Sequence, residues 1–245
     1  MTTYNYKLII FDLDGTLIDT MGAFADIAGE LISEHYGLTF EQGRKRYLET
    51  SGIPFFKQLD ILFPGNSKNK RLADTFETRK IASFSKEHIS ENVIETLENL
   101  KKRGYYLAIS SNNLHALVRD FVDRERVPVD VRLGYKPNFS KGLPHFTFLQ
   151  NYFRVHFSDM LFVGDSLKDA QISQNCGVAF IGKLGTFTAT DFKETMNSHF
   201  SPVINGIHEL IHLLEKNENH HISRWNRQQI GKPHPQFAKS LSKIK

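Results

Sequence analysis

The amino-acid sequence predicts an α/β protein, a doubly wound, mainly parallel sheet into which an all-helical segment is inserted. Short apolar runs at residues 8–11, 105–109 and 160–163 alternate with segments whose apolar residues recur at helical spacing. Such alternation is typical of parallel strands covered by helices. Between the first two runs, residues 41–84 contain no strand-like stretch. This long connection is therefore predicted to be helical.

The first apolar run, Leu-Ile-Ile-Phe at residues 8–11, is expected to be an interior strand because every side chain in it is apolar. The chain continues from Met21 as a helix, whose apolar face consists of Phe24, Ile27, Leu31 and Ile32. Two further helices are predicted around residues 59–63 and over residues 68–84, separated by the helix-breaking Pro64-Gly65-Asn66.

A helix over residues 90–103, ended by Gly104, returns the chain to the sheet. Beyond it the pattern predicts strands that begin near Tyr105, Val129, Met160 and Val178, helices that begin near Leu114, Pro144 and Leu167, and a last strand and helix over residues 202–216. The crossovers are expected to be right-handed. The predicted organisation is a core of residues 1–19 and 86–216, a helical cap of residues 20–85 and a C-terminal extension of residues 217–245.

Two carboxylates stand where the first strand ends, in the sequence Asp-Leu-Asp-Gly-Thr at residues 12–16. Ligands of open α/β sheets bind outside the carboxyl ends of the strands. With this spacing, Asp12 can attack a substrate while Asp14 turns toward the leaving group, and the loop amides that Gly15 frees can meet a phosphate. The alternative is an ordinary Asx turn that caps the next helix.

Three further polar segments follow in order: Ser-Ser-Asn-Asn at residues 110–113, a region with Lys136 and Lys141, and Gly-Asp-Ser-Leu-Lys-Asp at residues 164–169. Together with the first segment they resemble the four motifs of the haloacid dehalogenase superfamily of phosphohydrolases. The helical insertion after the first motif is similar to the cap of the phosphoglycolate-phosphatase-like group. The resemblance covers residues 7–216 and implies a Rossmann-like core.

The chemistry of a phosphatase suits these residues. Asp12 is ionised at neutral pH and can attack phosphorus to form an aspartyl-phosphate. Asp14 would act as general acid and then as general base; the resemblance implies a phosphatase or phosphomutase when this residue is Asp. Ser111 would donate to a phosphoryl oxygen. The further substrate contacts expected in the core are Gly15, Thr16 and Asn112.

A metal ion is expected because several carboxylates and a phosphate dianion repel one another by roughly 4 kcal/mol per pair at 4 Å, at an effective dielectric constant of about 20. Oxygen ligands that must also bind phosphate favour Mg²⁺. The predicted ligands are Asp12, the backbone carbonyl of Asp14 and Asp165, with Asp169 behind them. The alternative for the last two is a helix cap and a surface residue.

Two residues, Lys136 and Lys141, are candidates for the lysine of the third motif. Lys136 precedes a Pro, as the lysine of the family does, whereas Lys141 precedes Gly142 and has Pro144 at the expected start of a helix. Lys141 lies 24 residues before Asp165 and Lys136 lies 29 before it, and the shorter separation matches the family. We therefore expect Lys141 to be the catalytic lysine.

The cap should select the substrate because it closes over the phosphate site. Its candidate specificity loop spans residues 50–57, where Gly52 and Pro54 form a turn that opens a helix. Ser51 and Gly52 are the expected contacts with the leaving group. The alternative is a plain turn between helices, with Phe55 and Phe56 in the core of the cap.

The 245-residue chain is 40% hydrophobic and has one cysteine, Cys176. This composition supports one core with a small accessory domain, excludes a disulfide framework and suits a reducing cytoplasm. The sequence has no apolar run of membrane-spanning length and no leader pattern, so a cytoplasmic protein without membrane insertion is expected. The extension holds six Lys and Arg against one acid; a flexible tail is favoured over contact with nucleic acid or an anionic surface.

The sequence therefore predicts Mg²⁺-dependent hydrolysis of a small phosphorylated metabolite through an aspartyl-phosphate. One alternative is a phosphosugar mutase with the same residues, although such enzymes often have Glu-Asp where this chain has Gly164-Asp165. The other is a non-enzymatic binding protein that uses its basic tail. The sequence names neither the phosphate ester nor the oligomeric state.

Overall fold

The computed structural model describes residues 6–196 and 202–218. Beyond residue 218 the C-terminal extension, and with it the expectation of a flexible tail or an anionic contact, lies outside the described residues. Six parallel strands form one sheet in the order β3-β2-β1-β4-β5-β6. They are β1 Leu8–Phe11, β2 Tyr106–Leu114, β3 Val131–Tyr135, β4 Met160–Gly164, β5 Ala179–Lys183 and β6 Val203–Ile204.

The first strand lies in the middle of the sheet because all its side chains are apolar and can be buried on both faces. Ile9 pairs with Leu107 of β2 on one side and with Leu161 of β4 on the other. Successive side chains of β1 enter opposite layers: Ile9 packs in the layer that includes the cap, and Ile10 packs against the helices of the other face. The doubly wound parallel sheet is thus confirmed.

The first four helices after β1 are α1 Met21–Tyr36, α2 Phe40–Glu49, α3 Phe55–Leu62 and α4 Asn69–Phe84. The first two approach closely at a pair of glycines, since a Cβ on Gly29 would lie 3.0 Å from the Phe40 ring and one on Gly43 would lie 3.0 Å from Ile32. Tyr36 stacks on Phe63 with ring centroids 3.7 Å apart. These helices form the expected all-helical insertion.

Six helices cover the sheet in the described part of the remaining chain: α5 Glu91–Lys102, α6 His115–Arg124, α7 Leu143–Phe153, α8 Leu167–Cys176, α9 Ala189–Thr195 and α10 Glu209–Glu218. The sequence patterns do not predict α9, because it has seven residues and buries only Phe192. Over residues 6–196 and 202–218, no helix has both the length and the apolar composition that a membrane crossing requires.

The second strand is longer than expected. The apolar run ends at Ile109, yet β2 continues to Leu114 with a shift of register against β3 between Ser110 and Leu114. The polar residues after Ile109 therefore belong to the strand itself. The shift lets their side chains leave the regular alternation at the carboxyl end of the sheet.

Candidate active site

The site lies at the carboxyl ends of β1, β2 and β4, beneath the cap. Because β1 pairs with both of its neighbours, Asp12 after β1 comes close to Ser111 in β2 and to Asp165 after β4. A cavity of about 60 Å³ separates these side chains from the cap. It has room for a handful of water-sized groups, which suits a small ligand.

An ammonium group joins two of the buried carboxylates. The Nζ of Lys141 lies 3.0 Å from Asp12 Oδ2 and 2.7 Å from Asp169 Oδ1. Burial raises the pKa of Asp12 well above its usual range, against the opposing charge of Lys141. Burial would lower the pKa of Lys141, but the two carboxylates outweigh it and raise that pKa above its usual range. Lys141 is therefore held as a cation against Asp12.

The two candidate lysines occupy different places. Lys141 lies two residues before the start of α7, and its backbone N–H donates to Asn112 Oδ1 at 3.3 Å. Lys136 forms a bridge with Phe139, its N–H donating to the Phe139 carbonyl at 2.8 Å. The charge of Lys136 acts on His115, where it helps burial to lower the pKa to about 4. Of the two lysines, the structure brings Lys141 to Asp12.

The residues expected to hold a metal form one buried cluster. Carboxylate oxygens of Asp12, Asp165 and Asp169 lie within 4.8 Å of one another. Burial, reinforced by the charge of Asp169, raises the pKa of Asp165 to about 7. Among the described residues, Lys141 is the one cation that forms ion pairs with this cluster of three carboxylates, so a bound cation would relieve the remaining repulsion. The oxygen-only donor set fits a hard divalent ion.

For the motif at residues 164–169, the alternative of a helix cap at Asp165 and a surface residue at Asp169 is wrong. The cap of α8 is Ser166, whose hydroxyl accepts from the Asp169 N–H at 3.1 Å and donates to Asp169 Oδ2 at 2.7 Å. Asp169 is fully buried and not a surface residue. Gly164 makes this possible, since a Cβ there would lie 2.7 Å from Asp169 Oδ2. The serine between the two acids therefore does the capping.

The hydrogen bonds of Asp14 differ from those of an Asx turn. Its carboxylate accepts from Thr20 Oγ1 at 2.8 Å and from Asn113 Nδ2 at 2.6 Å. Thr20 precedes α1 but makes no side-chain cap. Burial raises the pKa of Asp14, and the charge of Lys80 opposes it most strongly. The sequence argument missed Asn113, although it belongs to the same polar run as Ser111.

The two serines of β2 face different ways. Ser111 lines the cavity, and its Oγ accepts from the Asn113 N–H at 3.0 Å. Ser110 is fully buried with its Oγ 2.9 Å from His145 Nδ1. Neighbouring residues of a strand point to opposite faces, so only one hydroxyl of the pair can reach the cavity.

Hydroxyl groups also surround Asp165. Thr16 donates to Asp165 Oδ1 at 3.4 Å, and Thr186 donates to Asp165 Oδ2 at 2.8 Å. Gly15 has a φ of +75°, and a Cβ there would collide with the Asp165 carboxylate. The structure thus places Gly15 and Thr16 against Asp165. Thr186, in the loop after β5, had no sequence signal because it belongs to none of the four motifs.

The cap loop contacts the core directly. The amide of Asn112 donates to the Gly52 carbonyl at 3.0 Å, so this side chain connects β2 to the cap. Gly52 has a φ of +90°, and a Cβ there would lie 2.5 Å from Ser166 Oγ. Ser51 lines the cavity with a buried Oγ that has no hydrogen-bond partner among the described residues. Phe55 is buried in the cap, whereas Phe56 is exposed.

The cap also contributes residues that the sequence argument missed. Lys80 of α4 and Tyr47 of α2 line the cavity and are buried. A signal did exist for Lys80, because it occupies the buried stripe of α4 that otherwise includes Leu72, Ala73, Phe76 and Phe84. A lysine on the apolar stripe of a helix is a candidate for a functional group.

Known proteins are similar to this chain in sequence. The sequence profile of the family described as "Haloacid dehalogenase-like hydrolase" matches residues 9–183. Phosphoglycolate phosphatase of Vibrio parahaemolyticus serotype O3:K6 is 28% identical over 198 residues, which are 74% of this chain and 85% of that protein. Phosphoglycolate phosphatase of Haemophilus influenzae strain 86-028NP is 27% identical over 200 residues, 72% of this chain and 85% of that protein.

Solved structures agree on the fold. A haloacid dehalogenase-like family hydrolase of Streptococcus pneumoniae superposes with a TM-score of 0.71 at 15% identity, over 85% of this chain and 98% of the other. A hydrolase of Pseudomonas syringae gives a TM-score of 0.70 at 18% identity, over 86% and 98%.

The fold and the buried carboxylates define a hydrolase with a Rossmann-like core and a helical cap. The chain belongs to the haloacid dehalogenase-like hydrolases, and within them it is a phosphatase that acts on a small phosphorylated substrate. Phosphatases of this family generally use a divalent metal, and the cluster of Asp12, Asp165 and Asp169 could hold one.

Proposed function

We propose that this protein hydrolyses a small phosphate monoester with Mg²⁺, through an aspartyl-phosphate formed on Asp12. One observation supports this proposal above the others. The carboxylate of Asp12 is buried and ion-paired to Lys141 at 3.0 Å, and it lines a small cavity that Asp14 and Ser111 also line. The proposed nucleophile, the proposed general acid and the serine that would donate a hydrogen bond to the phosphoryl group thus line one small cavity.

In the first half of the reaction, Asp12 attacks phosphorus and the bond to the ester oxygen breaks. Asp14 gives its proton to the departing oxygen, so that the product is a neutral alcohol. Burial raises the pKa of Asp14, which favours the protonated form that this step needs. The hydrogen bonds from Thr20 and Asn113 hold the Asp14 carboxyl group in place.

In the second half, water attacks the phosphorus of the aspartyl-phosphate. Asp14, now a carboxylate, takes the proton from that water, and cleavage of the acyl-phosphate bond restores Asp12 and releases inorganic phosphate. The sum is ester plus water to alcohol plus phosphate. Asp14 ends protonated and ready for the next substrate.

Negative charge must be offset throughout. Lys141 neutralises part of the charge on Asp12, and the Ser111 hydroxyl would donate to a phosphoryl oxygen. Asp12, the carbonyl of Asp14 and Asp165 would hold Mg²⁺, with Asp169 behind them, and the ion would screen the phosphoryl charge when bound. Gly15, Thr16 and Asn112 would shape the phosphate loop, while Ser51 and Gly52 would meet the leaving group.

The test is release of inorganic phosphate from a panel of small esters in the presence and absence of Mg²⁺. 2-Phosphoglycolate comes first, because the relatives named above are phosphoglycolate phosphatases. We expect Mg²⁺-dependent release that Asp12→Asn abolishes. Transfer of the phosphoryl group to a second sugar phosphate without release would instead identify a mutase. No turnover of any ester by the folded, Mg²⁺-supplied protein would overturn the proposal.

A further inference from the structure

Lys80 is a buried ammonium that faces the cavity from the side of the cap. Its exposed fraction is 9%, and it lines the cavity that Asp14 also lines. The Nζ lies 5.2 Å from the centre of the Phe24 ring and 3.8 Å from Glu77 Oε2. Among the described residues the ammonium donates no hydrogen bond, so its three donors are available to a ligand.

Burying such a group without a close partner is costly. An ammonium in an apolar environment loses several kcal/mol of hydration unless an anion and hydrogen bonds replace it. Glu77 replaces little of this hydration, because the ion pair is long and the Glu77 side chain is 34% exposed. Asp14 is the other carboxylate that the charge of Lys80 affects, lowering its pKa, but the two side chains form no ion pair. A site that keeps a lysine under these conditions is suited to an anion that enters with the ligand.

The rest of the cap wall narrows the chemistry of that anion. Phe24, Phe55 and Phe76 make much of the wall apolar. The amide of Gln58 is already used, since its oxygen accepts from Thr50 at 2.8 Å and its nitrogen donates to the Ile53 carbonyl at 3.0 Å. A sugar would bury several hydroxyl groups against these rings without partners, which is unfavourable.

Two other polar groups remain on the cap side. The Ser51 hydroxyl is buried without a partner among the described residues, and the Tyr47 hydroxyl makes no hydrogen bond with them either. Lys80, Ser51 and Tyr47 are therefore three donors in a small apolar wall. This is a suitable arrangement for one compact anion with two acceptor oxygens.

We propose that Lys80 determines substrate specificity by binding a carboxylate on the alcohol part of the phosphate ester, with Ser51 as a second donor. The inference rests on the proposed function, because the phosphoryl group must occupy the core side of the cavity, next to Lys141. The two lysines then bind opposite ends of the substrate: Lys141 faces the phosphoryl group and Lys80 faces the carboxylate. A second phosphate is disfavoured because the cavity is small.

The experiment compares two esters that differ in one group, 2-phosphoglycolate and 2-hydroxyethyl phosphate. In the second, a neutral CH₂OH replaces the carboxylate. We expect the wild type to prefer 2-phosphoglycolate in kcat/KM by roughly 10- to 100-fold, the range that a charge-assisted hydrogen bond supports. Lys80→Met should bring the ratio close to one, mainly through KM for 2-phosphoglycolate, and Lys80→Arg should retain part of the preference.

Lys70→Met is the matched control, since Lys70 is an exposed lysine of the same helix; the ratio should stay at the wild-type value. Binding of 2-phosphoglycolate to Asp12→Asn, measured by calorimetry with and without Lys80→Met, should show the same loss without turnover. The inference would be overturned if Lys80→Met lowered kcat/KM equally for both esters.

The failures of the two proposals are distinguishable. If the wild type releases phosphate from no ester of the panel, the proposed function is wrong; if it hydrolyses other esters but neither of these two, only the role of Lys80 is wrong. If it hydrolyses both with a ratio near one, only the role of Lys80 is wrong. If circular dichroism shows that Lys80→Met does not fold, the test rests on the ratio of kcat/KM for the two esters in the wild type and in Lys80→Arg. A wild-type preference for 2-phosphoglycolate below about threefold contradicts a charge-assisted contact.

Discussion

Replacement of Lys141 by Met removes the only ammonium that contacts Asp12 within the described residues. The chain is nearly the same length, but Asp12 and Asp169 lose contacts of 3.0 and 2.7 Å with a buried cation. The nucleophile then meets the phosphoryl dianion without that compensating charge. We expect a large loss of catalysis in a protein that still folds when Mg²⁺ is supplied.

The magnitude follows from these distances. At an effective dielectric constant of about 20, a unit charge 3 Å away is worth about 5 kcal/mol before desolvation. Desolvation cancels much of this, and removing one partner of a buried pair costs about 3–5 kcal/mol in practice. If about 3 kcal/mol of it is expressed in the transition state, kcat/KM falls roughly 100-fold.

Phosphate release under steady-state conditions measures the effect, with Lys136→Met as the matched control. Lys136 lies beside Phe139, so its replacement should lower kcat/KM by less than about fivefold. Circular dichroism with Mg²⁺ separates lost activity from lost structure. If Lys136→Met proves the more damaging of the two folded variants, the assignment of Lys141 is refuted.

Three further predictions follow from the site. Asp12→Asn should lower kcat by several orders of magnitude while 2-phosphoglycolate still binds, because an amide cannot attack phosphorus; a residual kcat above about a tenth of wild type would contradict the nucleophile assignment. Burial raises the pKa of Asp165 from 3.8 to about 7 and that of Asp12 well above 3.8. These two carboxyl groups therefore bind protons more tightly in the folded, metal-free protein than in the unfolded chain, so the stability that they contribute is fully present below about pH 4 and is lost as the pH rises through 7. Between pH 5 and pH 8 in EDTA, the wild type should therefore lose more Tm than Asp165→Asn, and Mg²⁺ should raise the wild-type Tm more at pH 8; identical pH profiles of the two proteins in EDTA would argue against the raised pKa of Asp165. Gly52→Ala should raise KM several-fold, because the new Cβ would lie 2.5 Å from Ser166 Oγ at a φ of +90°; Gly65→Ala, also at positive φ but with open space around it, is the control for strain, and equal effects of the two would rule out the packing argument.

The sequence by itself determined the architecture and most of the residues at the centre of the site. The apolar run of β1 predicted an interior strand, and in a parallel sheet the polar residues that follow neighbouring strands meet at one edge. Asp12, Asp14 and Asp165 could therefore be placed together before any coordinates. Helix α9 could not be predicted in this way, because seven residues with one buried side chain show no periodic recurrence of apolar residues.

Only the tertiary structure decided which groups complete that site. Spacing favoured Lys141 over Lys136 only through the resemblance to the family, because the positions of the two side chains depend on how the loop after β3 turns into α7. The hydrogen bonds of Asn113 to Asp14 and of Thr186 to Asp165 join residues 99 and 21 positions apart. Lys80 reaches the cavity because α4 packs its buried stripe toward the core. A local pattern records the face on which a residue lies, whereas the packing of the elements decides what that face meets.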